Sequence, residues 1–194
     1  MIAYLNGKFA YINPTTVYLD VLGVGYEVNI SLNTYGAIQN LKEGKLFTHL
    51  QIKEDAHTIF GFFDKQEKDM FIMLIGVSGV GAATARLMLS NMLPDEIAKA
   101  ILNGNARLLE SIKGIGRKTA ERLVLELRDK VNKQPLDATV TMVRGNTLQQ
   151  DALNALVALG INKAAADAAV NKVLKDEPEN SQLEHIIKKA LKSI

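Results

Sequence analysis

The segment from Gly79 to Ala85 reads GVGAATA, and 35 residues later Gly114 to Ala120 reads GIGRKTA. Four of the seven positions are identical, and Val80 against Ile115 is a like-for-like exchange. This doubling at one internal spacing constrains the fold more than any other feature of the chain. Helical patterns flank each copy, so each is expected to form a helix, a tight hairpin and a second helix. Glycine at Gly79, Gly81, Gly114 and Gly116 permits a sharp turn and leaves no side chain between the backbone and whatever approaches it. The hairpin delivers the N-terminus of the next helix, where unpaired N–H groups and the positive dipole end favour an anion. Thr84 and Thr119 can add hydroxyl donors. Ala85 and Ala120 are small where helices must cross closely. A single Gly-x-Gly could simply end one helix and start another; two with the same spacing argue against that.

Only the second copy is loaded with charge. Arg117 and Lys118 stand where the first copy has Ala82 and Ala83, and Arg122 follows on the next turn. Residues 113–130 hold six basic and three acidic side chains, net +3, against +2 for all 194 residues. An anionic partner is expected there. Arg86, one turn into the helix after the first hairpin, is the candidate to compensate for the missing cations. A nucleotide site fits less well. Gly76 and Gly81 have P-loop spacing, but Ala82 stands where the phosphate lysine belongs, and Ser111 replaces the first glycine of the second copy. Neither copy ends in the last glycine of G-x-G-x-x-G or follows a strand. Any ATP-driven function therefore needs a motor on another chain, and no cofactor is expected.

The rest of the chain falls into regions of different period. Residues 1–62 read as β: TTVYLDVLG, GYEVNIS and KLFTHLQI are rich in β-branched and aromatic residues, with Gly7, Pro14, Gly23, Gly25 and Gly44 as punctuation. Short strands at this spacing suggest a small barrel or sandwich, with a helical turn near TYGAIQNL. From Asp64 the period is helical: KQEKDMFIMLIG, AATARLMLSN, PDEIAKAIL opened by Pro94, ARLLESI and the amphipathic RKTAERLVLELRDKV. Residues 132–148 show no sustained period and read as a flexible linker. The tail from 149 to 194 holds three short helical patterns, broken at Gly160-Ile161-Asn162 and Pro178-Glu179-Asn180, and fits a three-helix bundle. With 47% hydrophobic and 23% charged residues the chain has the composition of a soluble globular protein. It has no cysteine, and its three histidines lack metal-ligand spacing. The opening MIAYLNGKFAY lacks a basic region before a long apolar run, and no stretch reaches membrane-span length. A cytoplasmic protein with no membrane partner is the expectation.

The doubled motif resembles the helix-hairpin-helix of DNA-binding proteins, which grips phosphate without reading bases. Together with LGVGYEV (22–28), FTHLQIKEDAHTIFGF (47–62), GIGRKTAERLVLELRDK (114–130) and ALVALG (155–160), it is similar to the RuvA family of Holliday-junction branch-migration proteins along essentially the whole chain. The resemblance implies an α+β multidomain protein. Its parts would be an oligonucleotide-binding (OB) type barrel at 1–62, a tandem helix-hairpin-helix domain at 63–131, the linker, and a motor-docking bundle at 149–194. It implies a homotetramer or octamer that holds four-way junction DNA in an open square-planar form. The partners it implies are the hexameric RuvB ATPase and the RuvC resolvase, and the chain itself would be non-catalytic.

The resemblance further places an acidic pin at Glu54 and Asp55, with Lys53 beside it on the DNA backbone. Taken alone, two acids in a β-turn are ordinary solvated residues; near a junction centre they would repel phosphates and guide strands apart. In the tail, Leu153, Leu156, Leu159 and Leu191 are either bundle core or partner surface. Leu156, Leu159, Ile161 and Leu191 are the candidates for the motor contact, with Leu159 and Ile161 at the helix end foremost. Two other classes compete: a structure-specific nuclease or glycosylase, and a non-specific duplex-binding scaffold. The first needs a metal-binding acid cluster or a catalytic Lys–Asp pair, and Glu54–Asp55 is the acid pair weighed for it.

Overall fold

The computed structural model describes residues 1–133, 147–176 and 182–193. The linker expected over 132–148 lies almost wholly outside these residues. The chain divides into a compact unit over Met1–Asp137 and a second over Ala138–Ile194.

The first unit begins with five strands: β1 (Tyr4–Ile12), β2 (Thr16–Val21), β3 (Val24–Ile30), β4 (Glu43–Ile52) and β5 (His57–Phe62). They close in the order β1-β2-β3-β5-β4, antiparallel except for the β3–β5 pair. Helix α1 (Leu32–Ile38) lies between β3 and β4 in the chain. This is the five-stranded OB-type barrel. Buried positions alternate along β2, β3 and β4, and Leu5, Val17, Leu19, Val28, Ile30, Ile38 and Leu46 form the barrel core. Gly7 and Gly44, expected as turn punctuation, instead face each other in register inside β1 and β4. A Cβ on Gly7 would lie 2.1 Å from the Asp20 carbonyl oxygen, so glycine there serves a close approach of strands.

Five helices follow: α2 (Lys65–Ile75), α3 (Ala82–Asn91), α4 (Pro94–Leu102), α5 (Ala106–Glu110) and α6 (Arg117–Lys133). Asp64 caps α2 by accepting from the Glu67 N–H at 2.7 Å, and Pro94 opens α4 at the position where a missing N–H is harmless. Phe60 and Phe62 of β5 pack on Phe71 of α2 and join the helical core. Barrel and helices are therefore one compact body rather than two beads.

The junction between them holds a polar knot. Glu67 of α2 is buried, with 2% of its surface exposed, and its carboxylate accepts hydrogen bonds from the Ser31 hydroxyl and, at 2.6 Å, from the Thr34 hydroxyl. Ser31 also caps α1 by accepting from the Thr34 N–H at 3.0 Å. Burial pushes the Glu67 carboxyl above the usual carboxylate range, against the pull of these hydrogen bonds.

The second unit is α7 (Thr147–Ala158), α8 (Lys163–Asp176) and α9 (Leu183–Ser193). Ala152, Leu153, Leu156, Ala166, Ala169, Val170, Val173, Ile186 and Ala190 are its core.

Candidate nucleic-acid interface

The two hairpins are built by the same hydrogen bonds. Val77 N–H donates to the Leu74 carbonyl (3.1 Å) as Ile112 N–H does to Leu109 (3.2 Å). Val80 N–H donates to Val77 (3.0 Å) as Ile115 N–H does to Ile112 (3.1 Å). Gly79 and Gly114 share φ +93°, a conformation that favours glycine. Val77, Val80, Ile112 and Ile115 are all buried and anchor the hairpins in the common core, while Ala85 and Ala120 are fully buried.

The hairpins also abut each other. A Cβ on Gly79 would lie 3.5 Å from Thr119 Oγ1, and one on Gly114 would lie 4.0 Å from Thr84 Oγ1. Each half-buried threonine thus faces the other copy's glycine. The expected donors sit at the seam between the copies, which fixes the two helix N-termini relative to one another. Gly81 caps α3 with no side-chain hydrogen bond, so the cap residue leaves the first N–H groups of that helix without a side-chain acceptor. Gly116 holds the equivalent place before α6 and is exposed.

The copies differ in what they put at those ends. Arg117 is 80% exposed, and its Nε donates to Glu121 Oε1 at 2.9 Å. That hydrogen bond first, then the charges of Glu121 and Glu110, hold the guanidinium more firmly protonated than usual. Lys118 is exposed, with no ion pair among the described residues. Arg122 pairs with Glu126 at 3.2 Å, and its Nη1 donates to the Ser78 carbonyl in the first hairpin at 3.4 Å. It braces one copy against the other as well as facing solvent. No acidic residue stands in the first turn of α6. Cations at a positive helix end are unfavourable for the isolated helix, so helix stability does not account for Arg117 and Lys118.

In the first copy Ala82 is buried in the core, and only Ala83 is exposed. Arg86, the candidate to compensate, is engaged within the fold. Its Nη1 donates to Asn29 Oδ1 at 2.8 Å and to the Thr15 carbonyl at 3.1 Å, tying α3 to the barrel, and burial lowers its pKa.

Lys53, Glu54 and Asp55 are exposed at the tip of the β4–β5 hairpin, closed by Lys53 N–H donating to the Ala56 carbonyl at 2.9 Å. In the tail, Leu156 is fully buried and belongs to the bundle core, which corrects its assignment to a partner surface. Helix α7 ends in a Schellman turn: Ile161 N–H donates to the Leu156 carbonyl and Gly160 N–H to the Val157 carbonyl, both at 3.0 Å. Gly160 has φ +91°, and half-buried Ile161 packs back on the core. Leu159 (63%) and Leu191 remain exposed, and so does Val157, which sequence reasoning missed. Glu121 and Glu126 were also missed, although their i, i+4 spacing from Arg117 and Arg122 was the available signal. Among the described residues no group of three or more His, Asp or Glu is placed to hold a metal ion, and no helix is long and apolar enough to cross a membrane.

Three family models match the chain: RuvA N terminal domain over residues 1–61, SAM-like helix-hairpin-helix tandem over 71–129, and RuvA, C-terminal domain over 147–194. Among curated proteins it is 46% identical over 194 residues to the Holliday junction branch migration complex subunit RuvA of Christiangramia forsetii, covering 100% of both chains. The protein of the same name from Cytophaga hutchinsonii is 44% identical over 197 residues, covering 99% of both. That from Flavobacterium psychrophilum is 46% identical over 194 residues, covering 100% of both.

Proposed function

The chain belongs to the RuvA family, and from that membership we propose that it binds four-way (Holliday) junction DNA and serves branch migration in recombination and repair. It holds the junction open and square-planar as a homotetramer and recruits the RuvB ATPase, which does the ATP-driven work; the chain itself is non-catalytic. The observation that carries this reading is the pair of solvent-exposed cations, Arg117 and Lys118, at the positive end of α6 beside a glycine hairpin. Such an end is completed by phosphate.

Each residue has a role in this reading. The backbone at Gly79, Gly81, Gly114 and Gly116 approaches phosphate closely, with Thr84 and Thr119 setting the spacing of the two hairpins. Arg117 and Lys118 neutralise phosphate, and Arg122 adds charge while bracing the hairpins. Glu54 and Asp55 act as the pin that keeps strands apart at the centre, with Lys53 on the backbone nearby. The 149–194 bundle docks on the motor through Leu159 and Leu191, with Val157 beside them.

The test is a gel shift on a synthetic four-way junction, with linear duplex as competitor and the mass of the complex measured by light scattering. The reading predicts junction preference and a mass that is a multiple of four chains. Equal affinity for linear duplex would favour a non-specific scaffold, and cut products in Mg²⁺ would favour a nuclease. Leu159→Asp should leave junction binding intact and lower stimulation of the motor; unchanged stimulation would remove the docking role.

A further inference from the structure

The acids of α6 fall in register with its cations. Glu121 takes the Arg117 Nε–H at 2.9 Å, and Glu126 Oε1 forms an ion pair with Arg122 Nε at 3.2 Å. Both pairs are solvent-exposed, with Glu121 at 54% and Glu126 at 39%. Lys118, between them in sequence, has no such partner among the described residues. A phosphate that engages Arg117 must therefore compete with a carboxylate already in place, whereas one that engages Lys118 need not.

This competition suits a protein whose DNA has to move. A grip made of unopposed charge-assisted contacts would be strong and slow to release. A grip in which a built-in carboxylate recaptures the guanidinium each time a phosphate leaves has a lower barrier to exchange, because the cation passes between anions without standing bare. Exposed i, i+4 pairs are weak enough for phosphate to displace and strong enough to be felt.

We propose that Glu121, with Glu126 as a second instance, is an attenuator of the phosphate grip: it holds Arg117 in an exchangeable ion pair that weakens static binding and speeds release of the DNA backbone. The proposal rests on the reading of the second hairpin as the DNA site.

The test compares Glu121→Gln, Arg117→Ala, the two combined, and Arg117→Ala with Lys118→Ala, all as the full chain on a synthetic four-way junction. Affinity, dissociation rate and salt dependence are measured by fluorescence anisotropy. Glu121→Gln should bind about twofold tighter per subunit, dissociate more slowly, and steepen the salt dependence as Arg117 turns to phosphate. A merely structural role for the pair predicts the opposite, since losing i, i+4 support weakens α6. In the Arg117→Ala background Glu121→Gln should give no gain. A full gain there would show general charge repulsion, and unchanged or weaker binding by Glu121→Gln alone would show no competition; either overturns the attenuator. If the Arg117→Ala, Lys118→Ala protein binds as well as the parent, the site reading itself fails and the attenuator with it.

Discussion

The two hairpins share a backbone and differ in what that backbone carries. In the second, the residue that opens the helix is Arg117, 80% exposed; in the first, the equivalent Ala82 is 7% exposed and packed in the core. The next cation along the first helix, Arg86, is committed to Asn29 and Thr15 of the barrel. The first copy has become a joint between barrel and helices, and the second is free to meet an outside anion. The sequence already puts the charge on the second copy; the packing shows why the first adds none, with Ala82 in the core and Arg86 tied to the barrel.

The largest effect that would sharpen this contrast is on stability. Ala82→Arg forces a guanidinium into the core position and should cost about 2 kcal/mol in urea unfolding. Ala83→Lys, one residue on and exposed, should leave stability nearly unchanged. It should tighten junction binding a few-fold, raising the salt slope by roughly 0.9 for each new phosphate contact. Equal tolerance of both substitutions would break the account of Ala82.

How much of this was legible beforehand follows from the range of the interactions. The helix starts at Asp64 and Pro94, the doubled hairpin and the alternation in β2 and β3 are local, and local spacing revealed them. The commitment of Arg86 depends on residues 71 and 57 positions away, and Glu67 is satisfied by Ser31 and Thr34 across 36 and 33 positions. Nothing in a window around either residue carries that information. Leu156 and Leu159 were both candidates for the partner contact, with Leu159 foremost at the helix end; the bundle core takes in Leu156 and leaves Leu159 in solvent. Gly7 and Gly44 looked like turns because a close contact between paired strands leaves the same signature as a bend.

The smallest expected effect concerns pH and again separates the copies, because the helix leading into the first hairpin carries the buried acid. The Glu67 carboxyl is raised, chiefly by burial. Its stabilising contribution is complete below the unfolded value of about 4.3 and is lost as pH rises through the raised folded value. Glu67→Gln should therefore gain thermal stability relative to the parent between acid and neutral pH. His49 runs the other way: burial, then the charge of Lys68, lowers its pKa. Its contribution is present above about 6.5 and lost as pH falls through the lowered value. A Glu67→Gln difference independent of pH would remove the carboxylate from this joint.

The division of labour between the hairpins is tested most directly by the salt dependence of four-way junction binding in the Arg117→Ala, Lys118→Ala protein. The account predicts weaker binding at every sequence and a slope of log affinity on log salt reduced by roughly 0.9 per lost contact in each subunit. Affinity and slope indistinguishable from the parent would contradict it and place the DNA elsewhere on the molecule.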